Sequence, residues 1–130
     1  MMKSLLTLFT LLFMVLFPSS SFAEWKKVGD DGSGNNFYID FERIRKLDGD
    51  IYYWVLSDYL KPETDAKLLS SKTYNQVDCE LFRYKVLVYV YHKQPMGRDY
   101  GETVDAVNIN WRYPQPNDFN EYLVELVCNL

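Results

Sequence analysis

The exported part of the sequence predicts an α+β fold: a single antiparallel β-sheet of about five or six strands, with a C-terminal α-helix packed on it and fastened by a disulfide. Three observations carry that prediction. Between Trp25 and Trp111 the apolar residues recur mostly at every second position, the period of strands. After Pro116 the period changes, and Phe119, Tyr122, Leu123, Leu126 and Val127 fall on one helical stripe. The two cysteines, Cys79 and Cys128, stand at the end of a predicted strand and at the end of that helix.

Residues 1–23 read as a secretory signal peptide. Lys3 precedes an apolar run from Leu5 to Phe17, and Ser21-Phe22-Ala23 supplies small residues at −3 and −1, predicting cleavage after Ala23. The run is about 13 residues, against roughly 20 needed to span a membrane, so a cleaved leader is expected rather than a retained anchor. No cysteine lies near the cut, so a bacterial lipoprotein anchor has no attachment point. Residues 24–130 then form one domain, with no linker, repeat or charge block to divide them. Lys3 leaves with the leader, so 13 basic face 18 acidic side chains, a net of −5. That balance favours solubility and argues against attraction to nucleic acid or anionic lipid.

Trp25 to Val28 is a first short strand, followed by a Gly/Asp/Asn-rich turn and a second strand from Phe37 to Asp40. Phe41 to Ile44 can make one helical turn capped by Asp40, and Asp48-Gly49 is a hairpin turn. Ile51 to Tyr59 is β-rich on both faces, and Lys61-Pro62 is expected to stop it. Ser70 to Cys79 and Phe82 to Tyr91 follow. The second of these is apolar on both faces, which places it near the middle of the sheet. Thr103 to Trp111 reads as a half-buried strand, with Val107, Ile109 and Trp111 on one side and Asn108 and Asn110 on the other. Asn117 or Asp118 supplies the helix cap, with Glu121 in the first turn. Two cysteines in an oxidising compartment allow one internal pairing, so Cys79 and Cys128 are expected to bond and pin helix to sheet. A redox-active pair would need the CxxC spacing, which is missing.

The order of short elements also resembles a known family, the surface-adhesin protein E-like domains of bacterial envelopes. The series runs Trp25, Tyr38-Ile39-Asp40, WVLSDY from Trp54 to Tyr59 with Lys61-Pro62, Ser70-Ser71-Lys72, Asp78-Cys79, Arg83, Pro95-Met96-Gly97, Trp111 and Val127-Cys128, nearly the whole of residues 24–130. The resemblance implies an antiparallel sheet with a disulfide-fastened C-terminal helix, an envelope location and binding of host extracellular proteins, with no catalytic residues. This chain departs from it in lacking the lipid-attachment cysteine that some members carry. A periplasmic or released protein is therefore expected rather than one displayed on the surface.

Few residues suggest chemistry. Asp31, Ser33, Asn35 and Glu42 match positions 1, 3, 5 and 12 of an EF-hand calcium loop, but strands rather than helices flank them and Asn36 replaces the turn glycine. A hairpin loop and no metal or other cofactor is the expectation. His92 is the sole histidine and reads as a partly exposed strand-end residue, and one histidine builds no zinc site alone. The pairs Asp30-Asp31, Asp48/Asp50 and Asp78/Glu80 flank turns, where solvated carboxylates are ordinary. Aromatics are the excess: eleven Tyr, eight Phe and three Trp. Tyr53 and Trp54 are expected inside the sheet, while Tyr100 and Tyr113, beside Gly101 and Pro114, are candidate exposed contacts. The leading expectation is a non-enzymatic envelope domain that binds a protein partner, adhesin-like, whose sheet edges leave a homodimer open. A periplasmic structural or assembly factor is the first alternative. A hydrolase is the second, and would need a pocket gathering His92 or two carboxylates.

Overall fold

The computed structural model describes residues 23–130, so the signal-peptide reading of residues 1–23 lies outside the described residues apart from Ala23 itself. Among the described residues seven strands build one sheet: β1 (Trp25–Asp30), β2 (Asn36–Asp40), β3 (Arg45–Leu47), β4 (Asp50–Glu63), β5 (Leu68–Asp78), β6 (Arg83–His92) and β7 (Glu102–Asp105). Their order is β1-β2-β4-β5-β6-β7, with β3 pairing β4 beside β2, and every pairing is antiparallel. The helix α1 (Phe119–Cys128) follows.

Local chemistry places the ends of these elements. Asp48 and Gly49, at φ 51° and 85°, make the tight turn that joins β3 to β4. The Asp40 carboxylate accepts the Glu42 N–H at 3.2 Å and caps the 3₁₀ turn Phe41–Arg43. Asp118 accepts the Asn120 N–H at 2.7 Å and starts α1. Strand alternation sends Ile39, Ile51, Tyr53, Val55 and Val77 to one face, where Leu123, Val124 and Val127 of α1 close the core over them. Ile39, Val77 and Val127 lose all solvent contact, each stabilising by roughly 1.5–3 kcal/mol through apolar burial. Cys79 and Cys128 are bonded, with Cα atoms 5.7 Å apart, so the staple joins the end of β5 to the end of α1.

Four details differ from the sequence reading, each for a physical reason. β4 and β5 are the middle strands, while β6 is second from the edge. Its two apolar faces arise because α1 and the 94–101 loop each cover part of one side. β4 runs through Pro62 to Glu63, because the ladder with β5 is interrupted between Asp58 and Glu63 and no partner needs the missing N–H there. The run Arg45–Leu47 forms a short strand before the Asp48-Gly49 turn. The strand expected over Thr103 to Trp111 ends at Asp105. The cause is a bulge in β6: Tyr74 pairs Val88 and Asn75 pairs Val86, so Leu87 is the extra residue. Leu87 O accepts Ala106 N–H at 3.0 Å, and the chain then leaves the edge until Arg112 bridges Tyr84. Val107 and Ile109 project from that excursion at 101% and 53% exposure instead of being half buried.

Candidate functional site: the helix-free face of the sheet

α1 covers one face of the sheet, and among the described residues no α-helix lies on the other. Alternation lays out the second face in tiers across β4, β5 and β6: Asp58/Ser70/His92, Leu56/Lys72/Val90, Trp54/Tyr74/Val88, Tyr52/Gln76/Lys85 and Asp50/Asp78/Arg83. One end of it is capped by the 94–101 loop, and the middle is open.

The capped end is tied by polar contacts. Ser70 Oγ donates to Gln94 O at 2.6 Å and accepts Gly97 N–H at 2.8 Å, and Asp58 accepts Met96 N–H at 2.7 Å. Asp99 holds His92 Nδ1 at 3.0 Å and Lys93 N–H at 3.2 Å. His92 is fully buried, which corrects the expectation of a partly exposed strand-end residue. The 93–101 segment folds over it, and Gly101 lies so close that an added Cβ would stand 2.6 Å from His92 Cε1. Burial lowers the His92 pKa below its ordinary 6.5, the nearby Lys72 charge lowers it further, and Asp99 opposes both. Nε2 has no hydrogen-bond partner among the described residues. Ser70, His92 and Asp99 thus stand close together, but the Ser70 hydroxyl donates to the backbone and not to the imidazole. Nothing in that arrangement activates it as a nucleophile.

The open middle is aromatic. Trp54 and Tyr74 have ring centroids 4.9 Å apart and Tyr52 and Tyr74 6.1 Å apart, forming one tilted row across β4 and β5. All three rings are half-buried, so each keeps a wet surface. On one side of the row a shallow groove of about 500 Å³ is lined by Arg45, Lys46, Leu47, Tyr52 and Tyr74. On the other a smaller groove of about 250 Å³ is lined by Arg43, Trp54, Lys72 and Tyr100, among others. Burial lowers the Lys72 pKa and the Arg43 charge adds to that. Trp111 lies at the far end between two cations, with Arg83 Cζ 4.3 Å and Lys85 Nζ 4.2 Å from its ring centre. Arg45, Lys72 and Lys85 have no carboxylate at salt-bridge distance among the described residues. The domain is acidic in sum, yet this face presents basic groups around rings.

The residues singled out from sequence fall into three groups. Tyr100 is 98% exposed and lines the smaller groove, while Tyr113 is 59% exposed and interacts with Arg83, so the two belong to opposite ends of the helix-free face. Tyr53 is in the core, as expected, whereas Trp54 belongs to the open row. Asp31 is the hub of the β1–β2 loop. Its Oδ1 accepts Ser33 N–H at 2.9 Å and Asn35 N–H at 3.3 Å, and its Oδ2 accepts Asn35 Nδ2 at 2.8 Å. Those bonds, the one to Ser33 first, hold its pKa below the ordinary carboxylate value. Glu42 sits in the 3₁₀ turn after β2 rather than in the loop. Asp78 pairs with Arg83 at 2.9 Å, and Asp50 accepts from Gln76 at 2.6 Å. Of the row, Trp54 alone is singled out by the sequence, and there as an interior residue, while Tyr52 and Tyr74 are not. The signal was the row's period-two spacing opposite Tyr53 and Asn75, on the face that a single helix could not cover.

A family model described as surface-adhesin protein E matches residues 25–129. No curated protein matches the sequence. Among solved structures, the selenomethionine form of Haemophilus influenzae protein E is similar at a TM-score of 0.59 and 14% identity, over 88% of this chain and 93% of that one. Crystal form II of the same protein gives 0.59 at 13% identity, over 86% and 92%. Protein E from non-typeable Haemophilus influenzae gives 0.55 at 14%, over 86% and 80%. Likeness at these identities speaks for the fold.

Proposed function

The chain belongs to the surface-adhesin protein E family, and on that premise we propose that this adhesin-like envelope protein is a non-enzymatic domain that holds a host extracellular protein on the helix-free face of its sheet. The single observation that carries the reading is the row Tyr52–Tyr74–Trp54, three half-buried rings on a sheet face with no helix over it. Rings on a rigid sheet offer large contact area at low entropy cost, and Trp, Tyr and Arg dominate binding hot spots. Arg45, Lys72 and Lys85 around the row favour a partner with an acidic contact patch. Export by the 1–23 leader, cleaved after Ala23, and release into the periplasm or beyond complete the proposal.

The test immobilises residues 24–130 and measures capture of extracellular matrix proteins laid down by cultured epithelial cells. Trp54→Ala with Tyr74→Ala is expected to lower affinity by about thirtyfold, the loss of one hot spot of roughly 2 kcal/mol. Leu130→Ala, beyond α1, leaves it unchanged. Equal binding by parent and double variant refutes the face. Protease shaving of intact cells addresses display, and cleavage only after outer-membrane rupture would favour the periplasmic structural or assembly role instead.

A further inference from the structure

We propose that the opposite face of the sheet holds a second site, a pocket at the start of α1 that takes a single-ring organic carboxylate. The helix has ten residues, about 15 Å, and does not reach across the whole face. A pocket of about 220 Å³ opens where it begins. An apolar cavity of about 150 Å³ accommodates benzene, so this volume suits one ring with its substituents and not a peptide or oligosaccharide.

The lining is not that of unfilled core. Ser57, Thr73 and Asn75 occupy inward positions on β4 and β5, in the alternation that elsewhere gives Val55 and Val77. Asn75 is 5% exposed, and its amide N–H groups go to Thr73 O at 3.1 Å and Thr73 Oγ1 at 3.0 Å, which leaves its side-chain carbonyl as an acceptor. Tyr53 is 2% exposed and lines the pocket, and its hydroxyl has no hydrogen-bond partner among the described residues. Neither atom is among the fully buried unpaired groups of the described residues, so both are reachable from the pocket, where the hydroxyl and the carbonyl are available to pair a ligand. Aromatic rings supply the walls: Phe37 and Phe119, 4.2 Å between centroids, with Tyr89 also lining the pocket.

Arg112 sets the charge of the ligand. It carries the one formal charge among the residues lining the pocket, and it has no carboxylate partner among the described residues. Asp118, at the adjoining helix start, is committed to Asn120 N–H. The Arg112 backbone is fixed to Tyr84 by two hydrogen bonds of 2.8 and 2.9 Å, and its guanidinium lies beside the Tyr84 hydroxyl, a neutral partner that leaves its charge uncompensated. A guanidinium pairs a carboxylate through two parallel N–H donors. The ring then lies against the Phe37–Phe119 pair, whose two rings pack on each other and form one wall, with a hydroxyl substituent in reach of Tyr53 and Asn75.

The probe is 4-hydroxybenzoate, titrated into isotope-labelled residues 24–130 and followed by amide NMR shifts. Saturable shifts at Tyr53, Asn75, Arg112 and Phe119 with a dissociation constant below about 1 mM are expected for a ligand of this size. Arg112→Gln, at an exposed side chain, keeps the fold, weakens 4-hydroxybenzoate by about tenfold and leaves neutral phenol unchanged. Thr73→Val, which keeps the side-chain shape, weakens the ligand without moving the shifts elsewhere. No saturable shift up to about 10 mM, shifts confined to Tyr52, Trp54 and Tyr74, or equal binding by Arg112→Gln would overturn the proposal. So would saturable binding of methyl glucoside at the same amides in place of the carboxylate.

Discussion

Replacing both cysteines, Cys79→Ser with Cys128→Ser, removes the covalent tie between β5 and α1 and leaves no free thiol to mispair. The closed loop spans a sequence separation of 49, for which the chain-entropy relation gives about 4 kcal/mol of lost stability. A ten-residue helix is marginal by itself, so without the tie α1 depends on burial of Leu123, Val124 and Val127 alone. With an unfolding entropy of about 2.1 cal/mol/K per residue, a domain of roughly 107 residues converts that loss into a melting temperature about 15–20 °C lower. Circular dichroism melts at 222 nm, paired with urea titrations, measure it. The urea slope should also steepen, since the untied chain exposes more surface when unfolded. A double variant melting within about 4 °C of the parent, with an unchanged helix signal, would refute the reasoning.

Lowering the pH from about 7 to about 5 destabilises the protein through His92. The folded pKa lies below the unfolded 6.5, so the unfolded chain takes the proton first and stability falls across that window. His92→Gln flattens the slope, and a parent whose urea midpoint is level over the window contradicts the account. Leu56→Ala, at a fully buried position on the face away from α1, costs about 2–5 kcal/mol by equilibrium unfolding, and a cost under about 1 kcal/mol would mean that the surroundings collapse into the space it leaves. Gly101→Ala meets both a φ of +77° and the His92 ring, so it loses about 1–3 kcal/mol and speeds hydrogen exchange over residues 93–101. Asp31→Ala frees the Ser33 and Asn35 amides and speeds their hydrogen exchange, and calcium leaves the melting temperature of parent and variant alike unchanged. A micromolar calcium response abolished in Glu42→Gln would reverse that reading.

Much of the architecture could be read from the sequence because its signals are local. The period-two runs marked β2, β4, β5 and β6, the stripe from Phe119 to Val127 marked α1, and two cysteines left one pairing. What escaped depends on contacts across the sheet. The apolar alternation of Val107, Ile109 and Trp111 is a sound strand pattern, but its partner edge on β6 is broken by the extra residue at Leu87, which no local signal announces. His92 follows an exposed-looking dipeptide rule at a strand end, yet Asp99 and Gly101 fold back over it from seven and nine residues downstream. The aromatic row was hidden for a related reason. Tyr52, Tyr53 and Trp54 are adjacent in sequence, and only the position of α1 decides which of them is core and which is surface.

Leu87 also marks where this sheet can change length. Elsewhere in β6, deleting one residue would exchange the faces of every side chain beyond the cut, sending Val90 and His92 toward the helix side. At the bulge the same deletion leaves Val86 opposite Asn75 and Val88 opposite Tyr74, now as consecutive pairs of a regular ladder. Relatives that differ by one residue here can therefore share the same inside and outside, and an alignment that places the gap a few positions away would assign core residues to the surface. The bulge works as a splice point, where the chain gains or loses a unit without rewriting what each face presents.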